Sequence, residues 1–360
     1  MNDENMNNET FNSSPQYVTY VPYGYTPKTY EEKRGIKKSA LLIGISLLLL
    51  LGITLFWGVL YYTVMSAFGI SSAKANIIIN DPAAMQALQV VLSSLMFTVP
   101  FILVFKAGNR RISDLVPLKR PEGSKTAMFF IGLSVCAFAN IANSLCGELF
   151  QKFGIDYNVD FGDNPEGFFG FLLSLLASAV VPPLVEEFAC RGIILGSLRR
   201  YGDGFAIITS AILFGLMHGN FDQMPFAAMV GLVLGFIVVK TNSLWIAVAV
   251  HAANNFISVA FEYLLAGLSQ NSQNLIYSLY LMSALIAGVI GAVLLLDKDG
   301  FKFKKSDTES SLKQKFKWFF TSPVIIIFTV LCVLESLFYF LNKINRGCNF
   351  GKFRYFDSDF

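Results

Sequence analysis

The chain has 360 residues, of which 54% are hydrophobic and 15% are charged, and its formal net charge is +3. The mean hydropathy of +0.53 is typical of a polytopic membrane protein and excludes an ordinary soluble domain. The small net charge, without a basic helix or zinc-finger spacing, argues against a nucleic-acid partner. We therefore expect an all-α, multi-pass helix bundle in the cell membrane, surrounded by the lipid bilayer.

The N-terminal segment, residues 1–38, is polar and rich in Asn, Glu and Tyr, and it contains Pro15, Pro22 and Pro27. A segment of this composition cannot bury enough apolar surface to offset the entropy lost on folding, so we expect a disordered tail. No cleavable signal peptide is expected, because the first apolar run follows this tail, and the first span should remain as an anchor.

Long apolar runs fill most of the remaining chain, and a membrane-spanning helix needs about 20 mostly apolar residues. Eight or nine spans are predicted, near residues 39–66, 84–105, 126–150, 167–198, 205–219, 224–240, 243–265, 276–296 and 321–342. The predicted bundle covers 39–296, followed by a charged linker at 297–320, a candidate extra span at 321–342 and a polar basic tail at 343–360.

Loop charge predicts the orientation, because connections rich in Lys and Arg remain in the cytoplasm. Basic residues precede the first span and fill the connection between the second and third spans, which places the N-terminus in the cytoplasm. The acidic connection at 151–166 should be external. Segment 321–342 departs from this pattern, because its crossing would place a basic tail outside and Glu335 in mid-span. A span, a re-entrant segment and an interfacial helix all remain open for it.

Two carboxylates and a guanidinium interrupt the fourth span. Glu187 and Arg191 are four residues apart, so they share a helix face and can pair. Glu186 points about 100° away on the same helix, which leaves it free to act as a base. Ionisable side chains at membrane depth are costly and mark function. Pro182 and Pro183 should break or kink the helix, placing both glutamates in the first turn of a renewed helix.

The two histidines of the chain, His218 and His251, both fall in predicted spans. Phe214 lies four residues before His218, and Asn255 lies four residues after His251, so each pair shares a helix face. A tight turn at 201–204 makes the fourth and fifth spans antiparallel. At about 1.5 Å per residue, this arrangement puts His218 at the depth of Glu186. We expect the carboxylate, both imidazoles and the carboxamide in one water-poor layer.

This set of side chains suits hydrolysis. Glu186 with His218 can take a proton from a water molecule that attacks a carbonyl carbon, while His251 and Asn255 donate hydrogen bonds to the developing oxyanion. Alternatively, Glu186, His218 and His251 can hold Zn²⁺, with water as the fourth ligand. No His-Glu-x-x-His helix supports that alternative. The spacing leaves metal-activated and glutamate-activated water both open.

Small residues recur at four-residue spacing beside these side chains, which allows helix backbones to approach closely in lipid. The pairs are Gly192 with Gly196, Gly215 with Gly219, and Gly231 with Gly235. We therefore expect the fourth, fifth and sixth spans to form a tight cluster.

Three motifs carry a family resemblance: Glu186-Glu187-Phe-Ala-Cys-Arg191, Phe214-Gly-Leu-Met-His218 and His251-Ala-Ala-Asn-Asn255. In this order they closely resemble the motifs of the CAAX-prenyl-endopeptidase and bacteriocin-processing (CPBP, or Abi) family of intramembrane proteases. The resemblance covers residues 168–260. It implies an endopeptidase in which Glu186 and His218 activate water and His251 with Asn255 forms the oxyanion hole. Glu187, Arg191 and Phe214 would support the site.

The family also suggests the substrate, a membrane-anchored protein or peptide that is prenylated and CAAX-like or of the bacteriocin type. Two alternatives come from other classes of protein. A transporter could use the same charges as a proton or ion relay, and the two prolines would mark a discontinuous helix, although we detect no inverted repeat. A non-catalytic immunity or scaffold protein would bind a partner without cleaving it.

Overall fold

The computed structural model describes residues 21–152, 164–296 and 306–348. In these ranges the chain forms twelve helices and no strand, which confirms the all-α prediction. They are α1 (Pro27–Leu55), α2 (Trp57–Ala67), α3 (Ser72–Ile79), α4 (Pro82–Ala107), α5 (Lys125–Lys152), α6 (Gly167–Tyr201), α7 (Asp203–Leu216), α8 (Met224–Thr241), α9 (Trp245–Leu265), α10 (Gln270–Leu296), α11 (Leu312–Phe320) and α12 (Pro323–Cys348).

Eight of these helices are long and apolar enough to cross a membrane, namely α1, α4, α5, α6, α8, α9, α10 and α12. Helix α7 is apolar but has only 14 residues. Among the eight, α8 is the most enclosed by protein, whereas α4, α10 and α12 are the least enclosed. The described residues thus form a bundle around α8.

The first span differs from its predicted bounds. Helix α1 begins at Pro27, where the Thr26 hydroxyl accepts a hydrogen bond from the Thr29 N–H in a capping box. The prediction of disorder was therefore wrong for residues 27–38, and residues 1–20 lie outside the described ranges. Helix α1 ends at Leu55 and a separate helix α2 follows Phe56, so 39–66 is not one span.

The start of α1 is bonded to the segment before α11. The Glu32 carboxylate accepts hydrogen bonds from the backbone N–H groups of Glu309 (2.9 Å) and Ser310 (3.1 Å). Lys28 pairs with Asp307 at 2.9 Å and holds the pKa of that carboxyl below its usual range. The predicted linker at 297–320 therefore contains ordered structure, including α11, while 297–305 lies outside the described residues.

Helix α12 contains most of the segment 321–342, whose nature the sequence left open. Residues Pro323–Asn342 form part of one continuous helix with the length and composition of a span. Its first turn packs on α1, where a Cβ at Gly44 would lie 2.6 Å from the Cγ2 of Val324. The helix continues to Cys348, into the predicted polar tail, and residues 349–360 lie outside the described ranges.

Glycines allow α6, α7 and α8 to approach one another closely, which confirms the predicted cluster. A Cβ at Gly235 of α8 would lie 3.3 Å from side-chain atoms of both Ile207 in α7 and Leu195 in α6. Gly196 serves a different contact, because its missing Cβ makes room for the backbone carbonyl of Leu115 in the α4–α5 connection.

One arginine joins the C-terminal ends of α6 and α8. The Arg199 guanidinium bonds Asp203 at the start of α7 (3.1 Å), the Asn242 side chain (2.9 Å) and the Val239 carbonyl (3.0 Å). The turn at Gly202, with φ of 121°, reverses the chain between α6 and α7 as the sequence predicted. These contacts tie the end of α6 to the start of α7 and to the end of α8.

The contact between α5 and α10 gives a stability prediction. A Cβ on Gly288 of α10 would overlap the Ser134 side chain of α5, so we expect Gly288→Ala to force the helices apart and lower the melting temperature in detergent by several degrees. The matched control is Gly52→Ala, where nothing lies within 4 Å of the new methyl group. Equal melting temperatures for the two variants would contradict this packing.

Candidate active site

Helix α6 runs through its two prolines without a break. A π-helical turn at Leu175–Val180 precedes them, and a second one at Phe188–Ile194 follows the two glutamates. The wider turn before the prolines accommodates the rings and the missing N–H donors. Of the predicted break or kink, the break was therefore wrong, and Glu186 and Glu187 lie inside a continuous helix, not in the first turn of a new one.

Glu187 and Arg191 form the predicted pair. Arg191 Nη1 lies 2.8 Å from Glu187 Oε1, and both side chains are fully buried. The guanidinium also lies over the Phe214 ring of α7, 4.1 Å from its centroid. Because a buried charge without a partner costs several kcal/mol, the carboxylate and the ring together make this arginine tolerable inside the bundle.

Glu187 has a second partner that the sequence analysis did not identify. Its Oε1 atom also lies 3.0 Å from His251 Nδ1, so one oxygen bonds both the arginine and the histidine. A carboxylate only accepts, so Nδ1 of His251 carries the hydrogen. The other ring nitrogen, Nε2, faces Glu186 Oε2 at 3.9 Å. Glu187 therefore orients His251 toward Glu186.

The second histidine is held by its own helix. His218 Nδ1 donates to the Phe214 carbonyl at 2.8 Å, which leaves Nε2 as the basic atom of the neutral ring. The Phe214 ring lies nearly perpendicular to both imidazoles, with centroid distances of 5.0 Å to His218 and 6.0 Å to His251. The predicted supporting residue Phe214 thus contacts Arg191 and both histidines.

Glu186 is nearer to His251 than to His218. In the described part of the chain, no contact within 4 Å joins Glu186 to His218, whereas His251 Nε2 lies at 3.9 Å. Helix α7 ends at Leu216, so His218 stands just beyond it and the extrapolated helix face does not apply. A water shared between Glu186 and His218 remains a prediction.

The prolines of α6 supply an acceptor for Asn255. In an α-helix or a π-helix, the Ser178 carbonyl would bond the N–H of residue 182 or 183, and both residues are prolines without an N–H. Asn255 Nδ2 donates to this free carbonyl at 2.9 Å. The proline pair thereby helps to orient Asn255, and one N–H of its amide remains for another acceptor.

Two further amides continue this contact across the bundle. Asn254 Nδ2 donates to Asn255 Oδ1 at 3.2 Å, and Asn140 Nδ2 of α5 donates to Asn254 Oδ1 at 3.4 Å. The sequence analysis missed both residues: Asn254 lies inside the third motif but was given no role, and no helical spacing relates Asn140 to the motifs. These hydrogen bonds orient the Asn255 amide, so that its Oδ1 faces Asn254 and its Nδ2 faces the Ser178 carbonyl.

The role of the prolines can be tested by restoring one donor. We expect Pro182→Ala to bond the Ser178 carbonyl within α6, to release Asn255, and to lower kcat for peptide cleavage by about 10-fold or more, since one oxyanion donor contributes about 10²–10³-fold. The matched control is Pro100→Ala, which restores a backbone donor inside α4 and leaves both prolines of α6 in place. Full activity in Pro182→Ala, measured beside this control, would contradict the assignment.

The predicted zinc set is not assembled. Across the described ranges, no three His, Cys, Asp or Glu side chains form a group that could hold a metal ion. Glu186 and His251 approach each other, but His251 Nδ1 is bonded to Glu187, and His218 stands apart from Glu186. The arrangement therefore does not fit Glu186, His218 and His251 as three zinc ligands, and the chemistry below uses side chains alone.

Comparison with known proteins identifies this part of the chain. Residues 168–257 match the family model of the Rce1-like type II CAAX prenyl endopeptidases. We call the matched segment the Rce1-like core, after the family to which it is similar. All three motifs lie in the matched segment, so the resemblance predicted from them is confirmed.

A curated relative matches the same share of the chain. The chain is similar to the Bacillus subtilis (strain 168) protein named "Putative membrane peptidase YdiL", with 26% identity over 91 residues. The alignment covers 25% of this chain and 37% of the relative, so the chain spans less than two fifths of the relative's length. No solved structure matches the chain. The eight long apolar helices and the family match together indicate a multi-pass membrane protein.

Proposed function

We propose that the protein is an intramembrane endopeptidase that hydrolyses a peptide bond of a membrane-anchored protein or peptide. One observation carries the proposal: inside the Rce1-like core, buried Glu187 orients His251, whose free nitrogen faces the carboxylate of Glu186 at 3.9 Å. Ionisable groups buried together at membrane depth mark a functional site. The family and the named relative make peptide hydrolysis the reaction that best fits this site.

Glu186 acts as the general base. Its side chain is 16% exposed, so it is enclosed by protein and still reachable by water. The carboxylate takes a proton from this water while the oxygen forms a bond to the peptide carbonyl carbon, and the carbonyl electron pair moves to its oxygen. The free Nε2 of His218 holds the same water by accepting its second hydrogen.

Asn255 and His251 stabilise the oxyanion. The Asn255 amide donates through the N–H that is not bonded to Ser178. His251 donates through Nε2 when its ring is protonated, because Nδ1 already donates to Glu187. Fixed donors aimed at the developing charge are usually the largest electrostatic contribution to such reactions.

Collapse of the tetrahedral intermediate completes hydrolysis. The carbon–nitrogen bond breaks, the oxyanion electrons return to form the new carboxyl group, and the proton held by Glu186 passes to the leaving amine. The products are one new carboxyl terminus and one new amino terminus. No covalent bond to the protein is formed in this sequence.

The proposal extends to the substrate and the orientation. The substrate is prenylated and CAAX-like or of the bacteriocin type, as the family suggests, and loop charge places the N-terminus in the cytoplasm. The continuous α6 removes the discontinuous helix that favoured a transporter. A binding-only scaffold would not need the oriented carboxylate and histidine pair.

Purified protein in lipid nanodiscs provides the test. A panel of quenched, lipid-anchored peptides is incubated with the wild type and with Glu186→Gln, each with and without a chelator. We expect the wild type to cleave members of the panel with or without chelator, and the variant to cleave none. Cleavage lost on chelation would contradict the side-chain mechanism, and failure of the wild type on the whole panel would contradict the proposed function.

A further inference from the structure

A third carboxylate, from outside the Rce1-like core, lies beside the turn that carries His218. Glu335 lies on α12, and a Cβ at Gly219 would stand 2.9 Å from both Cδ and Oε2 of its carboxyl group. Gly219 directly follows His218 in the chain. The glycine is needed twice, because its φ of +64° disfavours a side chain and because the carboxyl group fills the space beside it.

No described side chain pairs with this carboxylate. Within 21–152, 164–296 and 306–342, the hydrogen bonds and ion pairs include none to Glu335, which is neither fully buried nor fully exposed. A carboxylate in a membrane span is costly and usually serves a substrate or ion path. Glu335 therefore requires an explanation beyond packing.

Glu335 is not needed to hold His218 in place. The Gly219 N–H donates to the Leu216 carbonyl, and the His218 N–H donates to the Gly215 carbonyl. The Asn220 side chain donates to the His218 carbonyl at 2.8 Å. The turn after α7 thus satisfies its own backbone groups, and Glu335 is left to act on something that enters the site.

The charges around the site specify the chemistry of that group. Arg191 is neutralised by Glu187 at 2.8 Å, so it does not balance the other acids. Glu186 has His251 at 3.9 Å, whereas Glu335 has no basic partner among the described side chains. A carboxylate without a basic partner in a partly desolvated place attracts a positive charge.

We infer that Glu335 is a specificity-determining residue, which binds a cationic group of the substrate, a Lys or Arg side chain or a free amino group, next to the scissile bond. This inference rests on the proposed function. Helix α12 lies outside the matched segment 168–257, so the preference belongs to a helix that the family match does not cover.

The test uses one cleavable lipid-anchored peptide in three forms, with Lys, norleucine or Glu beside the scissile bond. We expect the wild type to favour the Lys peptide. Glu335→Gln should raise KM for the Lys peptide by about 10-fold, the usual scale of a lost charge-assisted contact, and leave the norleucine peptide unchanged. Glu335→Lys should shift the preference to the Glu peptide. The control on the same helix is Thr329→Val.

Each contrary outcome is distinct. Equal loss on all three peptides in Glu335→Gln, with the control active, would show a positioning role and overturn the inference. Wild-type cleavage without charge preference, unchanged in Glu335→Gln, would also overturn it while leaving the proposed function intact. Failure of the wild type to cleave any form would overturn both. Melting temperatures in detergent show whether each variant folds.

Discussion

Glu186→Gln is expected to lower kcat for peptide cleavage by about 10³-fold, within the range that a general base contributes. Glutamine keeps the shape and the polar contacts of the side chain but cannot take the proton from water. We expect KM and the melting temperature to stay close to those of the wild type, since Glu186 makes no hydrogen bond within the described protein that holds the fold. Steady-state kinetics on a lipid-anchored peptide measures the change.

The control for this prediction is Glu262→Gln, which removes another carboxylate of the bundle. Glu262 lies on the same helix as His251, in an exposed position, and accepts a hydrogen bond from the Asn164 side chain. We expect nearly full activity from it. Comparable activity of Glu186→Gln and Glu262→Gln would show that Glu186 is not the base.

The pair of Glu187 with Arg191 gives the second large effect. Glu187→Gln leaves Arg191 buried without a carboxylate, and we expect a loss of about 3–5 kcal/mol of stability together with loss of cleavage. The double variant Glu187→Leu/Arg191→Met removes both charges, so it should recover most of the stability. It should stay inactive, because His251 has lost the acceptor that orients its ring.

Thermal unfolding in detergent and cleavage rates, measured on the same preparations, separate these two roles. A double variant that is stable and inactive supports an orienting role for Glu187. A double variant that is stable and active would show that Glu187 serves only as a brace for Arg191.

The parts of the site that follow from local helix geometry were predictable from the sequence. Glu187 and Arg191 pair because residues four apart meet on one helix face, whatever the rest of the fold does. The contact of Glu187 with His251 was not predictable, because it depends on how α6 and α9 are rotated against each other. The same reason applies to Asn140, which reaches Asn254 from α5.

Proline and charge led to wrong predictions at two places, the predicted break in α6 and the predicted linker at 297–320. Pro182 and Pro183 suggested a broken helix, but a π-helical turn accommodates them and leaves the Ser178 carbonyl for Asn255. The charge of 297–320 suggested a linker, yet α11 buries Trp318 and Phe319 together with Lys315. An amphipathic helix has a low mean hydropathy, so composition alone hides it.

The most direct measurement is mass spectrometry of a peptide cleaved by the purified wild type in H₂¹⁸O with hydroxylamine present. Direct attack by water predicts a new carboxyl terminus that carries one ¹⁸O atom, and no hydroxamate product. A hydroxamate would reveal a covalent acyl intermediate, and a peptide left intact would show that the protein is not the endopeptidase proposed here; either result would contradict the account.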